Sequence, residues 1–471
     1  MNSTTQTHAR PAAEDLAVVT ERLVRDYGER AVTTRAIREQ HSHGEGLADA
    51  GMPDIVVFPK TNEEVASIVR VCNAARIPVI AFGVGTSLEG HVAALYGGVC
   101  IDLSRMDRVL EVNDADLDCR VQAGVTREAL NAELKGTGLF FPIDPGANAT
   151  LGGMASTRAS GTNAVRYGTM RENVLGLTVV TADGRIVHTG GRARKSSAGY
   201  DLTRLFVGSE GTLGVISEVQ LRLYGLPEAI SAAVCQFADL AGAVDTVIVA
   251  MQLGIPVARI EVLDDVQMDA CIRYSQLDEF EARPTLFFEF HGTEAGVREQ
   301  AETIESIAAD HGGSRFRWAT AQEERSRLWK ARHNAYYAAL ALAPGTQAFA
   351  TDACVPISRL TECVLETRAD VESTRLIAPI VGHVGDGNFH LVVLFDPAQP
   401  EQRAKAEGLA ARVSARAIRM GGTCTGEHGI GVHKLDALVA EHGDAVSLMQ
   451  AVKRAFDPND ILNPGKTVPW P

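Results

Sequence analysis

Apolar and polar positions alternate along the chain in two registers, and the register changes several times. Residues 14–40 mix charged and apolar positions at helical spacing and predict an N-terminal pair of helices. From Pro53, PDIVVFPKTNEEVASIVRVCNAARIPVIAFG reads as strand, helix, strand. Thr61 or Asn62 caps the helix, Glu63 and Glu64 occupy its first turn, and Val65, Ile68, Val69 and Cys72 form its buried stripe. Residues 97–126, 174–188 and 203–223 are strand-rich, with Asp and Asn at the turns. A Leu-Pro pair between Tyr224 and Glu228 breaks the pattern and marks a domain boundary. Beyond it, long helices are predicted over 238–254, 321–342 and 400–420, and strands over 258–263, 285–291 and 378–383. A last helix ends at Asp457-Pro458.

The chain's 471 residues are enough for two or three domains, and 45% hydrophobic with 22% charged residues is ordinary globular composition. A net charge of -14 gives no footprint for nucleic acid. The eight cysteines contain no C-x-x-C pair and read as reduced core thiols. The first sixteen residues lack an apolar run and carry early acidic residues, so no secretory signal is expected, and no stretch reads as a membrane span. The 44 glycines exceed the average of about 7%, and nineteen of them fall within five short windows.

Those windows hold the candidate chemistry. In IPVIAFGVGTSLEGH a strand enters Gly83-Val84-Gly85-Thr86-Ser87. Small residues there let successive N–H groups face one anion, although the run is neither a Walker A loop nor a G-x-G-x-x-G fingerprint. The Gly/Ala/Ser/Thr run of 141–176 and the turn in LFVGSEGTLGVISE read either as plain loops or as backbone lying against a large phosphate-bearing cofactor. In PIVGHVGDGNFHLVVLF the Asp386-Gly387 turn folds a strand ending at His383 onto one starting at Phe389, bringing His383 and His390 together. With Glu427 from GGTCTGEHGIGVHK they make either a catalytic Zn, Mn or Fe site or a set of structural histidines.

In combination, residues 53–218 resemble the FAD domain of the vanillyl-alcohol oxidase/p-cresol methylhydroxylase flavoproteins. Residues 229–467, with PIVGHVGDGNFH, GTCTGEHGIGVHK and FDPNDILNPGK, resemble the C-terminal domain of the D-2-hydroxyacid dehydrogenase branch. The resemblance implies an α+β fold. Residues 1–50 would be a helical segment and 51–226 a two-subdomain FAD-binding domain. Residues 227–471 would form a substrate- and metal-binding domain with a mainly antiparallel sheet flanked by helices, its tail returning to the flavin.

It further implies that Gly83, Val84, Gly85, Thr86 and Ser87 hold the FAD pyrophosphate, together with Pro145, Gly146, Gly152, Gly153, Ser156, Gly161 and Thr162 along the cofactor. Glu210, Gly211 and Ile216 would lie near its adenine-ribose half. Some relatives attach FAD through a His in the phosphate loop; Val84-Gly85-Thr86 stands there, and His91 is out of position, so FAD is expected to be non-covalent. His383, His390 and Glu427 would bind a divalent metal, His428 would be the base, and Arg332 and Asn388 would contact substrate.

A small D-2-hydroxy acid is the expected substrate, D-lactate foremost, because Ala350 stands where hydroxyglutarate dehydrogenases place a Lys. Glycolate and D-2-hydroxyglutarate are the alternatives within the family, and a metal-dependent hydrolase or a non-catalytic electron-transfer subunit the alternatives outside it. Electrons would pass to a cytochrome, a quinone or an electron-transfer flavoprotein. The expected location is the cytoplasm, with room for a peripheral contact at the inner membrane and for a homodimer.

Overall fold

The computed structural model describes residues 9–46 and 51–470, so the first eight residues of the N-terminal expectation, and residues 47–50, lie outside it. The chain divides into two units. One comprises residues 1–160, 169–225 and 427–471; the other comprises 161–168 and 226–426. One passage between the units falls between residues 225 and 226. Residues 1–50 form no unit of their own, however, and the tail from Glu427 belongs to the first unit.

Among the described residues the first unit contains, besides the two-stranded pair Leu139–Phe140 and Tyr224–Gly225, two larger sheets. In the smaller one Ile55–Val57, Val99–Asp102 and Val79–Phe82 run parallel in that order, with the short strand Ala31–Val32 antiparallel beside Ile55–Val57. The helix Asn62–Ala75 is capped by Thr61, whose hydroxyl accepts from the Glu64 amide, and it buries Val65, Ile68, Val69 and Cys72. The second sheet is antiparallel, in the order Val109–Asn113, Asp118–Gln122, Val215–Arg222, Val174–Val180, Ile186–Gly190. Leu151, Met154 and Ala155 pack into its core from the helix Leu151–Thr157, so part of the small-residue run of 141–176 is a buried helix and not a loop. Its Gly152 is required by packing, since a Cβ would come 2.5 Å from that of Ala123.

After the helix Ala445–Phe456 the chain returns to the parallel sheet: Val79 N donates to Ile461 O at 2.7 Å and Asn463 N to Val79 O at 2.9 Å. The buried Lys453 ammonium anchors this return, donating to Asp457 Oδ2 (2.5 Å) and to the carbonyls of Thr212 and Leu462 (2.9 Å each). Each of the three ammonium protons thus has an acceptor, which a buried charge requires.

The second unit is one antiparallel sheet in the order Gly313–Ala319, Ala229–Phe237, Thr285–Gly292, Val257–Leu263, Ile380–Gly382, Asn388–Phe395, Gln347–Ala350, with Ala353–Cys354 also pairing with Asn388–Phe395. Helices flank it, as expected. On one face Leu263, Phe287, Val381, Val392 and Leu394 pack with side chains of the helices Asp265–Ser275, Gln322–His333 and Ala335–Ala341. The single helix expected over 321–342 is broken at Asn334. All eight cysteines are free thiols and all but Cys354 are buried. Among the described residues no helix is long and apolar enough to cross a membrane.

Candidate functional site

In the second unit the strand Ile380–Gly382 ends at His383, and a single tight turn leads into Asn388–Phe395. Gly387 has φ +78°, and a Cβ on it would lie 2.2 Å from Val355 O, so glycine alone fits. The turn sets His383 and His390 edge to face, ring centroids 5.5 Å apart. His390 Nδ1 is 2.8 Å from Thr351 O, and a carbonyl only accepts, so Nδ1 carries the proton and Nε2 the lone pair.

His383 Nδ1 is 2.7 Å from Glu261 Oε1, which fixes the same tautomer. The other oxygen of Glu261 accepts from Arg332 Nε at 2.7 Å. Glu261 is fully buried in the strand Val257–Leu263. Burial alone would raise its carboxyl, but the charges of His383 and Arg332 and their hydrogen bonds hold it below the usual carboxylate range.

Arg332 closes the helix Gln322–His333, which Leu328 and Trp329 anchor in the core. Its side chain is 17% exposed, and only Nε has a protein acceptor among the described residues, so both terminal nitrogens remain for an anion. Asn388 is buried, and a Cβ on Gly426 would fall 2.4 Å from its Nδ2. Buried Asp352 accepts from Thr425 Oγ1 at 2.6 Å and lies 3.8 Å from His390 Nδ1. Gly161 and Thr162 belong to this unit, whose segment 161–168 is tied to the sheet by Asn163 Oδ1, accepting from Arg259 Nε at 2.9 Å, and by Tyr167 OH, 2.7 Å from His291 Nδ1.

The other predicted residues lie in the first unit. Gly83 to Ser87 follow Val79–Phe82 at the carboxyl end of the parallel sheet, the usual end for ligands in such sheets. A Cβ on Gly83 would sit 2.3 Å from Thr150 Oγ1, and Gly85 has φ +72° against the Phe82 ring. Ser87 Oγ and Ser209 Oγ are buried with no hydrogen-bond partner among the described residues. Pro145 and Gly146 precede the helix that carries Gly152, Gly153 and Ser156, and a side chain on Gly146 would meet open space.

Two of the residues expected beside the cofactor have other contacts. The Glu210 carboxylate accepts from the Ile430 and Gly431 amides (2.8 Å each) and from Thr467 Oγ1 (2.7 Å), and Ile216 is packed in the core. Glu210 is fully buried. Burial works upward on its carboxyl, but the His91 charge and these hydrogen bonds hold it down.

Glu427 and His428 open the loop that Glu210 holds. His428 Nδ1 lies 3.6 Å from the buried Glu89, whose carboxylate also meets Lys434 Nζ at 2.9 Å and His433 Nδ1 at 3.3 Å. Although burial pushes Glu89 up, the Lys434 charge and the two imidazoles keep it well below the ordinary range. Glu89 and Glu261 are buried carboxylates to which the sequence motifs assigned no role.

Residues 53–190 match the FAD binding domain model, and residues 226–467 match that of the C-terminal domain of FAD linked oxidases. A probable mitochondrial D-lactate dehydrogenase of Danio rerio is 52% identical over 437 residues, covering 92% of this chain and 88% of that one. A mitochondrial D-lactate dehydrogenase [cytochrome] of Arabidopsis thaliana is 46% identical over 453 residues, covering 96% and 79%. The solved structure of p-cresol methylhydroxylase with substrate bound superposes with a TM-score of 0.77 at 17% identity, covering 98% of this chain and 99% of that one, which bears out the expected fold. The first-unit cradle fits FAD: two unpartnered buried hydroxyls and a glycine backed by Thr150 leave backbone and hydroxyl groups to line it. The chain belongs to the FAD-linked oxidases, with the fold of p-cresol methylhydroxylase.

Proposed function

We propose that the chain oxidises a small D-2-hydroxy acid, D-lactate foremost, to the 2-oxo acid. The observation that carries this reading is Arg332: its Nε is held by buried Glu261, its terminal nitrogens are left for an anion, and the same carboxylate orients His383. A guanidinium so fixed suits a substrate carboxylate. His383 and His390, each with Nε2 as the lone-pair nitrogen, supply two donors for a Zn, Mn or Fe ion, and Glu427 the third. The donor set fits a divalent cation that would draw in the substrate's carboxylate and hydroxyl.

Asn388 would contact the substrate, and His428 would accept the hydroxyl proton at its imidazole, with Glu89 offering the compensating charge. FAD, held non-covalently by the loop 83–87 and its neighbours, supplies the two-electron acceptor when bound. Non-covalent attachment is supported by His91, which is buried against Glu210 at 3.3 Å.

Ala350 offers no cation to a second carboxylate, which favours lactate and glycolate over D-2-hydroxyglutarate. Electrons would leave to a cytochrome, as the name of the Arabidopsis relative suggests, or to a quinone or electron-transfer flavoprotein. A cytoplasmic location, a peripheral membrane contact and a homodimer complete the reading. A hydrolase would use the two histidines but leave the cradle without purpose.

The test is the visible spectrum of the purified protein before and after anaerobic addition of D- and L-lactate. A yellow protein bleached by the D form alone is expected. A colourless protein, or one that D-lactate does not bleach, refutes the reading.

A further inference from the structure

We propose that Glu261 is the positioning residue of this site, and that its single carboxylate fixes the metal-facing imidazole of His383 and the anion-facing end of Arg332 together. The inference rests on the proposed function and goes beyond it by making two binding events depend on one residue that touches neither ligand.

The geometry is specific. Glu261 has no exposed surface, its Oε1 lies 2.7 Å from His383 Nδ1, and its Oε2 accepts from Arg332 Nε at 2.7 Å. An ionised carboxylate is acceptor-only, so both neighbours must present N–H to it. For His383 this sets the tautomer and ring plane that leave Nε2 for a cation. For Arg332 it removes rotation about the end of a long, rotamer-rich side chain, so that both terminal nitrogens face one direction.

Among the described residues no other carboxylate meets both His383 and Arg332. Arg259, two positions earlier on the same strand face, is committed to Asn163 and lies 3.5 Å from Glu289. The charge of Arg332 is therefore Glu261's to balance.

An amide cannot do this. Glutamine at 261 has one oxygen and one NH2, so it would satisfy one neighbour and turn a donor toward the other. Either Arg332 or the His383 tautomer must give way.

The experiment uses full-length holoenzyme and reads FAD content, Mn2+ affinity by equilibrium dialysis with metal analysis, and kcat and KM for D-lactate. In Glu261→Gln the FAD content should stay at the wild-type level. Mn2+ affinity should fall about 10- to 100-fold, the range for losing a hydrogen-bond partner of a metal ligand, and KM should rise. Arg332→Lys should raise KM without changing Mn2+ affinity, and His383→Ala should abolish Mn2+ binding, which separates the two functions that Glu261 joins. Glu261→Asp keeps the charge one methylene back and should recover part of both. It also carries the test if the glutamine variant does not fold, since its two constants should still move together.

A wild type that binds Mn2+ and reduces its flavin with D-lactate, beside Glu261 variants with either constant unchanged, overturns the inference alone. A wild type that does neither overturns the proposed function and this inference with it.

Discussion

Replacing Arg332 with alanine removes one guanidinium whose Nε is held and whose terminal nitrogens are not. A carboxylate bound by those two nitrogens receives two charge-assisted hydrogen bonds, each about 1.5–3 kcal/mol. Their loss amounts to about 3–6 kcal/mol, or about 10²- to 10⁴-fold in kcat/KM for D-lactate. The same change leaves Glu261, which has no exposed surface, with His383 as its remaining partner. An acceptor so deprived costs about 1–3 kcal/mol of stability, a fall in Tm of about 2–4 °C for each kcal/mol.

The assay is steady-state oxidation with an artificial electron-accepting dye, run on D-lactate and on D-lactamide, which has the same shape without the charge. Wild type should prefer lactate strongly, and Arg332→Ala should lose that preference while oxidising the amide as slowly as wild type does. Equal losses on both substrates would show that Arg332 supports the fold and does not hold the carboxylate. An unchanged preference for lactate would refute the anion site altogether.

Three further outcomes are expected. His428→Ala should keep its flavin colour but lose about 10²- to 10⁴-fold in the rate of anaerobic flavin reduction by D-lactate, and unchanged bleaching in stopped-flow would exclude it as the base. Dialysis against a chelator should abolish D-lactate oxidation with the flavin retained, and Mn2+ or Zn2+ should restore it; full activity in metal-free protein would remove the metal from the reading. Asp264 caps the helix Asp265–Ser275, and burial pushes its carboxyl up to about 7. Above its unfolded value near 3.9 the folded state binds the extra proton, so stability should fall as pH rises from about 4 to about 7. Asp264→Asn, which keeps the cap, should therefore gain little Tm at pH 4 and progressively more toward pH 8, and a gain independent of pH would contradict the assignment.

The sequence disclosed those parts of the site that depend on local chain geometry. The Asp386-Gly387 turn places His383 and His390 face to edge because two short strands and a glycine leave the chain no other way back. The first helix cap and stripe were equally legible in TNEEVASIVRVC. What remained hidden depends on distant pairing. Glu261 in RIEVL reads as the polar position of a half-solvated strand, and only its juxtaposition with Arg332, 71 residues on, shows it to be buried and charged. Glu210 and Glu89 sit in glycine-rich turns that resemble ligand loops. Their partners at 428–434 arrive more than two hundred residues later. Gly152 looked like a loop residue because the reason for it, Ala123, lies in another element.

The chain passes between the two units four times, with residues 226–426 inserted into the sequence of the first. A ribosome adding about 5–20 residues per second needs about 10–40 s to make that insert. Throughout that interval the strand Val79–Phe82 has emerged without Ile461 and Asn463, whose backbone groups pair with Val79 on its outer edge. An open parallel edge of Val-Ile-Ala-Phe invites pairing with another chain. The second unit, continuous but for eight residues, can meanwhile finish most of its sheet. The late helix with Lys453 thus acts as the closing clasp of synthesis, and a nascent chain stalled before residue 445 would carry an almost complete second unit joined to a first unit with an open strand edge.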